Sequence, residues 1–147
     1  MEQQTIQWFP GHMARAEREI AKNLKLVDAV VEILDARIPV SSRNPDLGRM
    51  IGARPRILLL NRSDLADQKQ TACWLAFYHA HGLSAVNADC KTGKGVSAIL
   101  PEIANLLSAK TASWRSKGMA GRKIRIMAAG IPNVGKSSLI NRLAGGS

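Results

Sequence analysis

Apolar residues occur along this chain in two patterns, short continuous runs and stretches with three- to four-residue spacing. Continuous runs at 29–34, 57–60, 83–88 and 124–129 predict four buried strands. Helical spacing or composition predicts helices over 11–26, 67–81, 96–109 and 137–143. Strands that alternate with helices in this way predict an α/β fold with a parallel sheet and right-handed crossovers.

Polar and turn-forming residues separate these elements. A Pro-, Ser- and Asn-rich stretch at 39–45 predicts a loop, and Gly82 is expected to end the helix before it. The Ser-, Gly- and Lys-rich stretch 108–122 predicts an exposed connection. Ligands of parallel sheets bind at the carboxyl ends of the strands, so the loops of interest begin near Asp35, Asn61, Asp89 and Gly130.

The loop after the last predicted strand carries the sequence GIPNVGKS, Gly130 to Ser137, which fits the pattern G-x-x-x-x-G-K-[ST]. Its glycines let consecutive N–H groups point at a phosphate, and the following helix adds its positive N-terminal dipole. Lys136 is expected to reach the β- and γ-phosphate oxygens, and the Ser137 hydroxyl is expected to hold Mg²⁺. This loop predicts nucleotide phosphate binding.

Two further loops are candidates for base recognition. Asp64 in Asn61-Arg62-Ser63-Asp64 can accept from both N1–H and the exocyclic amine of guanine, and Asn61 can bond the phosphate loop. Alternatively, Asp64 only caps the next helix. The loop 89–95 places backbone N–H groups where they could meet guanine O6, although its Gly and Thr content also fits an ordinary turn.

Composition narrows the class of protein. A chain of 147 residues with 46% hydrophobic content predicts one domain, and it holds neither a run of about 18 apolar residues nor a visible secretory signal. Cys73 and Cys90 lack metal-ligand spacing, which favours a reducing cytosol. The 21 basic residues against 11 acidic ones give a net charge of +10, concentrated in 37–56 and 110–125. This excess favours a polyanionic partner, or else forms a solvated face.

The motifs together resemble a known family. Four segments carry this resemblance: Trp8-Phe9-Pro10-Gly11-His12-Met13, Asp35-Ala36-Arg37-Ile38-Pro39, Asn61 to Asp64 and Gly130 to Ser138. They resemble the circularly permuted GTPases that assist assembly of the large ribosomal subunit, most of all the ribosome biogenesis GTPase A (YlqF) group. The base loops precede the phosphate loop, which marks the permuted class. Such an order is compatible with function because the site is assembled from strand-end loops.

The resemblance implies a three-layer, P-loop NTPase-like parallel sheet, circularly permuted and incomplete at its C-terminus, with residues 1–147 as a partial GTPase domain. It implies a cytoplasmic, monomeric GTPase that uses GTP/GDP and Mg²⁺ and binds the large ribosomal subunit and its rRNA, with no membrane partner. The implied nucleotide-binding residues are Asn61, Arg62, Ser63, Asp64, Asp89, Cys90, Asn133, Val134, Gly135, Lys136, Ser137 and Ser138.

The chain departs from the family pattern at three points. Arg62 stands where the family usually has Lys, but its planar guanidinium can still stack on a base. Asp89-Cys90 replaces Ser-Ala, where the backbone makes the contact. The Mg²⁺-sensing threonine loop, the Asp-x-x-Gly loop and the C-terminal helical domain of the family are not within residues 1–147, so the chain is expected to be a truncated piece, inactive in hydrolysis by itself.

Two residues are assigned only through the resemblance. His12 matches the proposed substitute for the catalytic glutamine of other GTPases, and Asn133 matches a position associated with K⁺. By themselves, an isolated His is most often a surface or packing residue and Asn a loop-shaping one. Two other functions stay open, a non-catalytic rRNA-binding module and an ATP-using P-loop protein in which Asn61 and Asp64 form a plain turn.

Overall fold

The structure is a computed structural model that describes residues 10–131 and 134–145, with side chains from Ala14 onward. Its strands are β1 (Ala29–Asp35), β2 (Arg56–Asn61), β3 (Ser84–Asn87) and β4 (Ile126–Ala129). Its helices are α1 (Pro10–Leu24), α2 (Pro45–Ile51), α3 (Gln68–Ala80), α4 (Ile99–Leu106), α5 (Ser108–Ser116) and α6 (Lys136–Leu143). Single 3₁₀ turns cover Ser63–Leu65 and Val96–Ala98.

The four strands form one parallel sheet in the order β3-β2-β1-β4. In the register, Asp35 of β1 pairs with Asn61 of β2, and Glu32 pairs with Ala129 of β4. All seven residues of β1 are buried, as the continuous apolar run predicts for a central strand. The register brings the carboxyl ends of the strands to one edge, where the predicted loops begin.

Side chains alternate between the two faces of the sheet and pack under different helices. On one face, Val31, Ile33, Ile57 and Leu59 pack with residues of α4 and α6. The other face is divided: Leu34, Leu58 and Leu60 pack with Tyr78 of α3, whereas Val30 packs with residues of α1 and α2. Helices on both faces confirm the predicted three-layer α/β architecture, and none of the described helices is long and apolar enough to cross a membrane.

The structure corrects two parts of the sequence prediction. Residues 45–51, within and after the predicted loop, form helix α2, with Asn44 as its N-cap and Pro45 in its first turn. The predicted connection 108–122 begins with helix α5, which follows α4 after a break at Leu107. Trp114, buried at 7% exposure, anchors α5, and one aromatic residue in a polar stretch gives little periodic signal.

Candidate functional site

The phosphate loop connects β4 to α6 and begins at Gly130. A Cβ at this position would lie 2.8 Å from the Ile33 carbonyl oxygen, so glycine permits the close approach of loop and sheet. Gly135 has φ +113° and directly precedes α6, and a Cβ there would overlap the Asn61 amide nitrogen. Both glycines of the motif are therefore required by the packing of this loop.

Lys136 begins α6, and its Nζ donates to the Gly130 carbonyl oxygen at 2.8 Å. The ammonium group thus lies over the phosphate loop. Beside it is a cavity of about 320 Å³, which is lined by Arg62, Gly135, Lys136, Ser137 and Ser138. A cationic cavity at the first turn of a helix has the charge and the donors that a phosphate needs.

The chemistry of this cavity also fits Mg²⁺. The Ser137 side chain is exposed at the cavity, next to Lys136. Mg²⁺ in nucleotide sites takes one or two protein ligands and completes its shell with phosphate oxygens and water. Within the described residues, no group of three or more His, Cys, Asp or Glu side chains is placed to hold a metal ion.

Asn61, at the end of β2, connects three loops. Its Nδ2 donates to the Val134 carbonyl oxygen at 2.9 Å, and its Oδ1 accepts from the Cys90 backbone N–H at 2.9 Å. Asn61 is 4% exposed, so both bonds lie away from solvent. The expected bond to the phosphate loop is present, and the bond to Cys90 also links the loop 89–95, which we call the third loop.

Asp64 lies in the 3₁₀ turn that follows β2. The N-cap of α3 is Asp67, whose side chain accepts from the Gln70 N–H at 3.0 Å, so Asp64 does not cap that helix. Its carboxylate is 40% exposed and lies 3.8 Å from Lys94 Nζ. Ser63 is buried, and its N–H donates to the Ala88 carbonyl oxygen at 3.2 Å. Asp64 is thus accessible at the rim between the base loop, residues 61–64, and the third loop.

The third loop is held by its own hydrogen bonds. Asp89 Oδ1 accepts from the N–H groups of Lys91, at 2.9 Å, and Thr92, at 3.4 Å. Cys90 is buried with its N–H on Asn61, and burial raises the pKa of its thiol to about 11. The Cys90 side chain therefore has a packing role, and its backbone N–H holds Asn61. A base carbonyl at this loop would have to share N–H groups that already donate to the Asp89 and Asn61 side chains.

Arg62 belongs to the base loop, residues 61–64, and lines the cavity at the phosphate loop. It adopts a left-handed conformation, with φ +61°, which is uncommon for a residue with a side chain. Its Nη1 donates to Asp35 Oδ2 at 3.2 Å, while Arg37 donates to the same carboxylate through Nε at 3.0 Å and Nη2 at 2.7 Å. Asp35 thus fixes Arg62 at the cavity wall. The sequence did not reveal this role of Asp35, because 27 residues separate Asp35 from Arg62.

The Asp35 cluster predicts a pH-dependent contribution to stability. Hydrogen bonds from Arg37, aided by Arg62, outweigh burial and lower the pKa of Asp35 to about 2. Because the folded pKa lies below the unfolded value, the stabilisation is complete above about pH 4 and is lost as pH falls towards 2. We expect Asp35→Asn to lower the free energy of unfolding by about 2 kcal/mol at pH 7.

Urea denaturation at several pH values measures this difference. The gap between the wild type and Asp35→Asn should narrow below pH 4, whereas Asp46→Asn, at a half-exposed carboxylate, should cost little at any pH. A gap for Asp35→Asn that stays constant on acidification would show that the ion pairs do not supply this stability.

Several basic residues of the 110–125 stretch have structural partners. Arg122 lies 4.2 Å from the centroid of the Trp114 ring, and its Nη2 is 3.5 Å from Asp28 Oδ1. Lys110 Nζ is 3.2 Å from the same oxygen, and Asp28 also accepts from the Arg125 N–H.

Burial alone would raise the pKa of Asp28, but these partners outweigh the effect of burial, and the pKa of Asp28 lies below its usual value. Arg122 therefore secures the connection to β4, while Lys117 and Lys123 remain exposed.

Two predicted site residues cannot be placed in this geometry. His12 belongs to α1, but its side chain lies outside the described residues. Asn133, between Ile131 and Val134, also lies outside them. Their assigned roles in water positioning and K⁺ binding remain predictions.

Known proteins are similar to this chain in sequence and in fold. The sequence profile of a family described as "50S ribosome-binding GTPase" matches residues 125–147. Ribosome biogenesis GTPase A of Priestia megaterium is 52% identical over 95% of this chain and 49% of its own length. Mitochondrial ribosome-associated GTPase 1 of Xenopus tropicalis is 38% identical over 97% of this chain and 45% of its own. Among solved structures, GNP-bound YlqF from T. maritima matches with a TM-score of 0.65 and 31% identity, covering 89% of this chain and 48% of the other.

The fold and the phosphate loop thus define an α/β protein of the P-loop class. Over nearly its whole length the chain is similar to proteins of the ribosome biogenesis GTPase A (YlqF) family, and it spans about half the length of the curated relatives it matches.

Proposed function

We propose that this chain supplies the guanine-nucleotide site of a GTPase that acts in assembly of the large ribosomal subunit. One observation carries the proposal: the buried Asn61 side chain joins the base loop, the third loop and the phosphate loop through two hydrogen bonds of 2.9 Å. Such a bond network makes the positions of base and phosphate loops interdependent. The names of its relatives support ribosome assembly as the setting.

Residues 1–147 constitute, in this proposal, part of a circularly permuted GTPase domain in which the base loops precede the phosphate loop. GTP and GDP are the ligands. Lys136 and the N–H groups at the start of α6 would hold the phosphates, and Asp64 would accept from the guanine edge. Arg62 would pack against the base from its anchor on Asp35.

Ser137 would hold a Mg²⁺ ion, which when bound would neutralise part of the negative charge of the phosphates. Asn133 would contribute to a K⁺ site, and His12 would orient the attacking water. We further propose a monomeric, cytoplasmic protein whose GTP-bound form binds the large subunit and its rRNA and whose GDP-bound form is released.

Nucleotide selectivity and turnover of residues 1–147 test this proposal. We expect calorimetry to show Mg²⁺-dependent binding of GDP but not of ADP, because only guanine presents the paired donors that Asp64 accepts. Phosphate release from GTP should stay at the uncatalysed background even with K⁺ and large subunits, because phosphoryl transfer depends on positioned switch loops that we place outside this stretch.

Equal binding of ADP and GDP would favour the ATP-using alternative, and binding of neither would remove the nucleotide function. Single-turnover GTP hydrolysis would show that the catalytic groups lie within residues 1–147. An rRNA-binding module remains the second candidate function, favoured by the net charge of +10. Retained rRNA binding with no nucleotide binding would single out that candidate.

A further inference from the structure

A buried carboxylate interrupts the divided face of the sheet. Glu32 of β1 is 1% exposed and lies between Val30, which packs under α1 and α2, and Leu34, which packs under α3. Arg56 of β2 pairs with Val30 in the register and therefore shares this face. A carboxylate in such a place requires cationic partners, because its desolvation is costly.

Two guanidinium groups share this one carboxylate. Arg43 donates through Nε to Glu32 Oε2 at 3.1 Å and through Nη2 to Oε1 at 3.4 Å. Arg56 Nη1 lies 3.5 Å from Oε1, is buried, and makes no hydrogen bond within the described part of the chain. Two positive charges facing one negative charge leave the cluster with one positive charge and an unused donor.

A cavity of about 500 Å³ adjoins this cluster, and we call it the arginine cavity; it is lined by Val40, Arg43, Pro45, Gly48, Arg49 and Arg56. A Cβ on Gly48 of α2 would lie in ordinary van der Waals contact with both guanidinium groups, 3.4 Å from Arg56 Nη1 and 3.9 Å from Arg43 Nη2, so a longer side chain introduced there would enter the cavity. Arg49 adds a third guanidinium at the exposed rim, where it pairs with Asp46 at 2.7 Å. The cavity is thus small, cationic and open to solvent.

We propose that the arginine cavity binds a backbone phosphate of RNA. Guanidinium groups match phosphate in geometry and charge, and three of them, from Arg43, Arg49 and Arg56, line this cavity. A phosphodiester fits the cavity, and the chain's net charge of +10 favours a polyanion over an isolated anion. The site is separate from the nucleotide cavity and deepens the proposed function, since it rests on rRNA as the partner.

The test compares Gly48→Glu with Gly48→Gln. Both side chains fill the cavity equally and suit a helix, but only glutamate adds a charge that repels phosphate. Lys117→Gln, at an exposed site after α5, lowers the net charge by the same single unit as Gly48→Glu. Arg56→Gln, which removes the buried donor, and Arg49→Gln, at the exposed rim, complete the set. Thermal unfolding followed by circular dichroism verifies that each variant folds.

The probe is transcribed large-subunit rRNA in filter binding at several salt concentrations. We expect Gly48→Glu to weaken binding roughly tenfold, Gly48→Gln less, and Lys117→Gln hardly at all. Arg56→Gln should lower the slope of log affinity against log salt by about one. If Arg56→Gln does not fold, Arg49→Gln should give a smaller reduction of the same slope.

Unchanged rRNA binding by folded Gly48→Glu would overturn the proposal, as would a wild-type chain that does not bind rRNA. A further arm titrates inorganic phosphate: saturable binding lost in Gly48→Glu, with rRNA binding unchanged, would assign the cavity to a free anion and overturn the RNA proposal. GDP binding is measured in parallel. Its absence in the wild type would contradict the guanine-nucleotide site, whereas its retention in Gly48→Glu alongside weakened rRNA binding would support both.

Discussion

Lys136→Ala is expected to weaken GTP and GDP binding by roughly 30- to 5,000-fold. The ammonium group lies on the Gly130 carbonyl at 2.8 Å, at the wall of the phosphate cavity, and removing one partner of a close charge pair costs about 2–5 kcal/mol. The fold should tolerate the change, because the Lys136 side chain bonds only one carbonyl of its own loop in the described structure. Calorimetry with GDP and GTP gives the affinity, and thermal unfolding gives the stability.

Lys117→Ala is the matched control, since Lys117 is exposed in the turn after α5 and carries the same charge. It should leave nucleotide affinity unchanged. If Lys136→Ala retained wild-type affinity for both nucleotides, the cavity at α6 would not be the phosphate site.

Asn61→Ala is expected to lower the free energy of unfolding by about 2–6 kcal/mol and to weaken nucleotide binding in the same variant. The substitution leaves the Cys90 N–H and the Val134 carbonyl buried without partners, and each such group costs about 1–3 kcal/mol. Nucleotide binding falls because the base loop, the third loop and the phosphate loop lose their shared anchor. Urea denaturation and GDP titration measure the two effects.

Asn61→Asp separates the two bonds. It keeps an acceptor for the Cys90 N–H but places a carboxylate oxygen against the Val134 carbonyl, so it should impair the phosphate loop most. Asn105→Ala, at an exposed position of α4, is the control and should change neither stability nor binding. An unfolding midpoint for Asn61→Ala equal to that of the wild type would contradict the anchoring role.

The strands were predictable because a short continuous run of apolar residues is typical of a strand that is buried on both faces. The run that became β1 predicted a buried strand, and β1 is buried along its whole length. The phosphate loop was predictable because close packing requires glycine at two of its positions. Gly130 packs against the sheet, and Gly135 packs against the Asn61 side chain. Such a constraint is visible in the sequence as a glycine at a fixed position of the motif.

Contacts between distant residues were not predictable in this way. The bond of Arg62 to Asp35, the pairing of Arg122 with Asp28 and the sharing of Glu32 by Arg43 and Arg56 all depend on which strands are neighbours. Arg122 illustrates the consequence. As a basic residue in a polar stretch, Arg122 was predicted to belong to a polyanion-binding or solvated face, and the sequence did not indicate that it also stacks on Trp114 and pairs with Asp28.

Helix α2 was missed for a different reason. Its seven residues follow Asn44 and begin with Pro45, and both of these residues are turn formers as well as helix starters. Seven residues are too few for a clear helical period. The N-cap bond from the Asp46 N–H to Asn44 Oδ1, at 2.9 Å, shows how the same residues begin a helix once tertiary packing supports it.

The central claim is that Asp64 recognises guanine, and exchanging the base along with the residue tests it most directly. Asp64→Asn should weaken GDP binding by about 1–3 kcal/mol, roughly 5- to 150-fold. Xanthine carries an oxygen where guanine has its amine, so an amide can donate to that oxygen while accepting from N1–H. The variant should therefore bind xanthosine diphosphate more tightly than the wild type does.

Asp67→Asn, at the N-cap of α3, keeps an effective cap and is the matched control. The decisive measurement is competitive displacement of labelled GDP by xanthosine diphosphate from the wild type, Asp64→Asn and Asp67→Asn. A preference that reverses only in Asp64→Asn is the result we predict. Equal preference in all three proteins would contradict base recognition by Asp64.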